Sequence, residues 1–284
     1  MSIRSDPSST TLLGTLAVTT AAALWGLWGL VISLAGIAGP RAACVVLFAI
    51  GLSALPTLPR RIIRDRACYW ALLATGFGNA ANSLLYFEAL SRGPQAVAVL
   101  SHYLAPVLVA LLSPLALGAR PTRQTWLALP VSIVGLALIL GDGLFRSGDT
   151  LTTAMLGGAS AIFYGGQIVV QKRFSDRLAP SELLVWHALV GGFLLLPLAL
   201  FLPAPSWSSM GILALAGAIF GGFGGSLFLW GLGRIPAAKV GVLTYVEPLV
   251  AVLVGLLYFG EAMAPLAPVG AFLILGAGWV VARE

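Results

Sequence analysis

Charge is scarce in this chain: 9% of its 284 residues are charged, against 59% hydrophobic. A soluble domain usually carries about 25% charged residues, so a water-facing surface of this size is excluded. Cysteine is scarce too. Cys44 lies inside an apolar run and Cys68 follows a basic loop. That spacing suits neither a disulfide framework nor a metal site, and no metal or cofactor is expected. The net charge of +6 would suggest nucleic acid in a soluble protein. Here the basic residues form short clusters between apolar runs, which is a pattern of membrane orientation, and no nucleic-acid partner is expected.

What the chain has is apolar length. A spanning helix needs about 20 mostly apolar residues. Candidates fall at 11–34, 40–58, 67–90, 94–117, 123–141, 151–171, 180–202, 209–232, 236–259 and 264–282. The breaks between them carry Pro40, Pro56 and Pro59, Gly93-Pro94, Pro121, Gly141 to Gly148, Pro180, Pro203 and Pro205, Pro236 and Pro265, the residues that punctuate helices. The first run is too long for a signal-peptide core. The period-2 alternation of an outer-membrane barrel is absent. These features predict an all-α membrane protein of ten transmembrane helices, with the lipid bilayer as its main surroundings.

Basic residues set the orientation. With the N-terminus inside, Arg4, Arg60, Arg61, Arg64, Arg66, Arg120, Arg123, Lys172, Arg173, Arg177, Arg234, Lys239 and Arg283 are internal. Arg41, Arg92 and Arg146 are external, so 13 of the 16 basic residues lie inside. This positive-inside bias predicts a multi-pass protein of the cell (inner) membrane with both termini cytoplasmic.

The two halves repeat. A shift of 142 residues carries Leu85, Leu90, Arg92, Pro94, Ala96, Tyr103, Pro106, Leu111 and Gly118 onto Leu227, Leu232, Arg234, Pro236, Ala238, Tyr245, Pro248, Leu253 and Gly260. With a small register change Trp25-Gly26 matches Tyr164-Gly165. Two units are expected, residues 1–145 and 146–284. Five helices per unit is an odd number, so the second unit enters the membrane from the opposite side. Inverted-topology repeats around a central cavity are a common plan among secondary transporters.

The pattern Arg92-Gly93-Pro94 … Tyr103-Leu104-Ala105-Pro106, followed by Gly118, resembles the first EamA-type repeat of the drug/metabolite transporter superfamily. Arg234-Ile235-Pro236 … Tyr245-Val246-Glu247-Pro248 … Gly260-Glu261 is similar to the second, and Trp25-Gly26 suits helix 1. Ala119 stands where the first repeat usually has a glutamate. The resemblance implies ten helices in two inverted repeats around a central cavity. It also implies a likeness to exporters of amino acids and related metabolites, aromatic amino acid exporters among them. Helix 1 has no acidic residue, unlike small multidrug cation antiporters of the wider superfamily. That argues against proton-coupled export of lipophilic cations and for passive or exchange-type movement.

Polar groups inside a bilayer are expensive and mark candidate sites. Asn79, Asn82 and Tyr86 share one helix face, as do Ser160, Tyr164 and Gln167, by their spacing of three and four residues. With His102, Tyr103 and Trp186 they are the expected substrate-binding residues, Ser160 excepted. Trp186 also suits an interfacial anchor. Pro106 and Pro248 fall at matching mid-span depths and are expected hinges. Each removes one helical hydrogen bond and displaces the carbonyl four residues earlier, that of His102 or Thr244. Glu88 is expected to snorkel and Glu247 to serve structure. Gly217, Gly221, Gly222, Gly224 and Gly225 predict close helix packing. No Lys-Ser/Thr follows them as in a phosphate loop. A membrane enzyme built on Ser101 or His102 lacks a base and an orienting group, so no catalytic residue is expected. The expected partner is a small-molecule substrate, an amino acid or related metabolite, handled by a monomer.

Overall fold

The computed structural model describes residues 7–37, 39–61, 63–92, 95–141, 144, 148–260 and 264–283. Arg4, Gly93, Pro94, Arg146 and Glu261 lie outside the described residues. The helical segments are α1 (Pro7–Trp25), α2 (Trp28–Ala35), α3 (Pro40–Ala54), α4 (Arg66–Arg92), α5 (Gln95–His102), α6 (Ala105–Leu117) and α7 (Arg123–Leu140). They continue as α8 (Thr150–Phe174), α9 (Pro180–Leu200), α10 (Trp207–Ala216), α11 (Gly224–Leu232), α12 (Ala237–Leu243), α13 (Val246–Tyr258) and α14 (Ala267–Ala282). A π-helical segment, Gly217–Phe223, joins α10 to α11. No strand occurs among the described residues.

Local chemistry sets the helix ends. Thr122, Asp149 and Ser206 cap α7, α8 and α10 by accepting from the amides of Thr125, Thr152 and Ser209, groups with no partner inside the helix. Pro40 and Pro180 open α3 and α9, where a missing amide hydrogen costs nothing. Gly36 and Gly118 close α2 and α6 at φ 64° and 66°, a left-handed turn that favours glycine.

Eight helical runs among the described residues are long and apolar enough to cross a bilayer: Ser9–Ala35, Pro40–Thr57, Ala96–Leu117, Arg123–Leu140, Thr150–Phe174, Pro180–Leu200, Trp207–Leu232 and Ala237–Tyr258. The chain is therefore a multi-pass membrane protein. Of the ten spans read from the sequence, 67–90 and 264–282 fall outside this set. The first is the 27-residue α4, which carries Arg66, Glu88 and Arg92. The second is the shorter apolar α14. Large apolar side chains such as Leu115, Leu151, Leu257 and Phe272 point outward, as lipid-facing residues do.

Ties between loops sort the helix ends into two sides. On one side Arg61 pairs with Glu182 and Arg177 with Asp65. There Lys172 donates to the Leu232 carbonyl (2.8 Å), Lys239 to that of Ala282 (3.0 Å) and Arg173 to that of Ala116. Gly14, near the start of α1, lies against Arg234 and Ile235 on that side. The Ala67 amide holds the Asp65 carboxyl below the usual carboxylate range, and Arg177 adds to the effect. On the other side Arg41 donates to the carbonyls of Ala199 and Leu202, and Ser209 to that of Ala35. Cations at helix C-termini satisfy carbonyls that have no partner within the helix.

The helices pack in matched pairs. α3 lies on α9 and α7 on α14. α4 crosses α8 as α11 crosses α1, and α4 meets α9 as the α10–π segment meets α3. Glycines allow these close approaches. A Cβ on Gly217 would meet Ala49 Cβ at 2.8 Å, and one on Gly225 would meet Leu184 Cδ1 at 2.7 Å. Gly157, Gly165 and Gly191 are also against neighbours, whereas Gly158 and Gly166 face open space.

Candidate functional site

Among the described residues four helical passes are interrupted, and the interruptions converge. α1 gives way to α2 at Gly26-Leu27, α5 to α6 at Tyr103-Leu104, and α12 to α13 at Thr244-Tyr245. The fourth is the π-helical segment, whose Phe220 carbonyl accepts from Trp25 Nε1 at 3.0 Å. Gly26 sits against the α12–α13 break: a Cβ there would lie 2.6 Å from the Glu247 carbonyl oxygen and from Val250 Cβ. Gly241 of α12 sits against Pro106, with 3.1 Å from a Cβ to Pro106 Cα. Non-helical backbone at membrane depth is tolerated only where protein or water satisfies it. Here protein does, for the Tyr245 hydroxyl donates to the Tyr103 carbonyl at 2.8 Å.

The breaks fall just ahead of the two expected hinge prolines. Pro106 lies in the first turn of α6, just after the break. Pro248 lies in the first turns of α13, and the Thr244 carbonyl is not free: the Glu247 amide donates to it at 3.0 Å. A tighter turn ahead of each proline absorbs the missing bond, so the chain bends at the residues before it rather than at the proline itself.

Around this junction stands an aromatic wall. The His102 ring is 4.4 Å from that of Tyr86 and stacks on Tyr164 at 5.2 Å, centroid to centroid. Tyr103 meets His102 edge-on at 5.6 Å and Tyr245 at 5.7 Å. Tyr245 is 0% exposed and Tyr103 7%, whereas Tyr86, His102 and Tyr164 keep part of their surface accessible. Ser160 Oγ donates to the Gly157 carbonyl at 2.6 Å, so it accepts from His102 Nδ1 at 2.9 Å. That network assigns the ring proton to Nδ1 and leaves Nε2 an acceptor in the neutral ring. Asn82, one turn from Tyr86, and Gln167, one turn from Tyr164, each bury an amide oxygen that has no hydrogen-bond partner.

Of the eight expected binding residues the structure brings Tyr86, His102, Tyr103 and Tyr164 together, with Asn82 and Gln167 on the same two helices. Asn79 faces α9, its Cβ near Gly191. Trp186 stands apart: it is 41% exposed and borders a surface groove with Tyr69, Leu73, Arg61 and Glu182. Glu247 stands at the same junction: it lies in the first turn of α13, two residues after Tyr245, with its backbone carbonyl against Gly26. Its place next to the second mid-span proline was the sequence signal for it. Among the described residues no group of three or more His, Cys, Asp or Glu is arranged to hold a metal ion.

The EamA-like transporter family matches the chain twice, over residues 12–141 and 151–283. An uncharacterized transporter of Archaeoglobus fulgidus is 29% identical over 237 residues, covering 82% of this chain and 83% of that protein. The pseudopaline exporter CntI of Pseudomonas aeruginosa is 28% identical over 52% of this chain and 55% of its own length. The threonine/homoserine exporter RhtA of Salmonella typhimurium is 24% identical over 68% of this chain and 64% of its own. A crystal structure with 24% identity superposes with a TM-score of 0.77 over 94% of this chain and 97% of that one, a likeness of fold. Two family matches over the two halves of an all-helical chain, with interrupted helices meeting between them, lead to one assignment: the chain belongs to the EamA-like transporter family.

Proposed function

We propose that this protein exports small organic metabolites, amino acids or related zwitterions with an apolar or aromatic side chain, across the cell (inner) membrane by alternating access. The observation that carries the reading is the junction of Tyr103 and Tyr245. These residues are equivalent under the 142-residue shift, and they touch, with the hydroxyl of one on the carbonyl of the other. Residues related by a pseudo-two-fold axis touch only where that axis passes close to them, so this contact supports such an axis. The matched packing pairs support the same axis, and with it ten helices in two inverted five-helix units, residues 1–145 and 146–284. Interrupted helices from both units then meet where one unit rocks against the other.

Relatives named as exporters support the direction of transport, and threonine and homoserine are themselves amino acids. Neutral amides and phenols supply the hydrogen bonds a dehydrated zwitterion needs without holding it too tightly for release. Both walls come from one chain, so a monomer suffices, and a transporter of this design needs no catalytic residue. α1 and α2 contain no acidic residue, which favours passive or exchange-type movement over a proton antiport.

Labelled phenylalanine in proteoliposomes should show counterflow that persists after the pH gradient is collapsed. Counterflow abolished by that collapse contradicts the exchange mechanism. The positive-inside count, and the ties that group the basic loops on one side, support cytoplasmic termini. Reporters fused after Arg66 and after Gly143 should then report opposite sides, and the same side for both rules out the ten-helix topology.

A further inference from the structure

We propose that the groove between α4 and α9, on the side where the basic loops gather, holds an anionic phospholipid. Its acyl chain lies along Trp186 and its phosphate among the arginines of the loop before α4. The site is separate from the aromatic cluster and does not depend on the transport reading, for the groove opens on the outer surface of the bundle, where Tyr69, Leu73 and Trp186 are exposed.

Packing explains where the groove lies. α4 touches α9 at Gly76, where a Cβ would collide with the Val190 side chain. On the loop side of that crossing, Leu58, Ile63, Leu73 and Val190 line the groove with Tyr69 and Trp186. Tyr69, Leu73 and Phe77 are exposed at successive turns of α4, and Trp186 and Phe193 are exposed on α9. Spacings of four and seven residues keep each set on one helix face, so the apolar lining continues along the bundle. Tyr69 is the fourth residue of α4 and Trp186 the seventh of α9, about 4.5 and 9 Å along their helices. Amphipathic rings near helix ends suit the depth at which headgroups meet acyl chains.

The mouth of the groove has the complementary charge. Residues 60–66 carry Arg60, Arg61, Arg64 and Arg66 against one acid, Asp65. Asp65 is paired with Arg177 and Glu182 with Arg61, and the Ala179 amide donates to Glu182 at 2.7 Å. Both carboxylates that could repel an anion are therefore neutralised. Arg61 borders the groove with its side chain 52% exposed, and its Nε and Nη2 serve Glu182 and the Arg177 carbonyl. Arg60 and Arg64 follow the lining residues Pro59 and Ile63 directly, are exposed, and form no ion pair among the described residues. Each such cation favours an anionic lipid about fivefold. A free phosphate ion would meet the same arginines but leave the apolar groove empty, whereas a phospholipid fills both.

The test places the purified full-length protein in phosphatidylcholine vesicles doped with either phosphatidylglycerol or phosphatidylcholine brominated on the acyl chain, which quenches tryptophan fluorescence. Brominated phosphatidylglycerol should reach the same quenching at a content about fivefold lower. Trp186→Phe should lose that excess, whereas Trp70→Phe should keep it, because Trp70 is exposed but does not line the groove. Arg60→Gln combined with Arg64→Gln should reduce the excess, and inorganic phosphate should affect it no more than chloride at the same ionic strength. Equal quenching by the two brominated lipids overturns the proposal. So does an excess that survives Trp186→Phe, that is unchanged in the double arginine variant, or that phosphate removes selectively. The arginine variant changes only exposed loop positions and decides alone if Trp186→Phe fails to fold.

Discussion

Gly26→Ala is expected to abolish counterflow and to lower the melting temperature clearly, while Gly29→Ala leaves both unchanged. The new methyl at position 26 would lie 2.6 Å from the backbone oxygen of Glu247 and from Val250 Cβ. Backbone cannot swing aside as the end of a long side chain can, so α1 and the α12–α13 break must separate. Overpacking of this kind costs about 1–3 kcal/mol. Here it also displaces the Glu247 peptide from the junction, which is why transport falls further than stability. Position 29 has nothing within 4 Å of a Cβ and controls for the loss of glycine itself. Melting followed by tryptophan fluorescence, beside counterflow, separates the two effects. Equal behaviour of the two variants would mean that the close approach of α1 to the second broken helix is unimportant.

Asn82→Ala, Tyr86→Ala and Tyr164→Ala should each reduce counterflow about tenfold or more with little change in melting temperature. Asn82 is the most telling of the three. Its buried amide oxygen makes no hydrogen bond within the protein, so the folded state loses no such bond when it goes. Removing an unsatisfied buried acceptor is neutral or stabilising. Tyr86 and Tyr164 each give up one ring contact with His102, at 4.4 and 5.2 Å, worth about 0.5–1.5 kcal/mol per pair. They keep part of their surface accessible and so bury less than Tyr245 does. Variants that lose folding in step with activity would identify these residues as packing elements and move the site elsewhere.

The contrast between Asn82 and Trp186 shows how far the sequence could be read. Spacings of three and four residues place side chains on a common helix face, and that rule assembled Asn82 with Tyr86 and Tyr164 with Gln167 before any coordinates. It says nothing about which neighbour the face meets. Trp186 and His187 are adjacent in sequence, and about 100° of helical rotation sends the first outward beside Tyr69 and the second inward, where it bonds the Leu183 carbonyl. Breaks were legible where proline announced them. At Gly26-Leu27 and along Gly217–Phe223 the cause is tertiary: a close backbone crossing in one case and the Trp25 hydrogen bond in the other.

Counterflow of labelled phenylalanine is the most direct test of the claim that the junction between the two halves is a transport site. Wild-type proteoliposomes preloaded with unlabelled phenylalanine should accumulate label transiently, whereas protein-free liposomes and Asn82→Ala proteoliposomes with the wild-type melting temperature should not. Equal accumulation by wild type and Asn82→Ala, or none above protein-free liposomes, would contradict it.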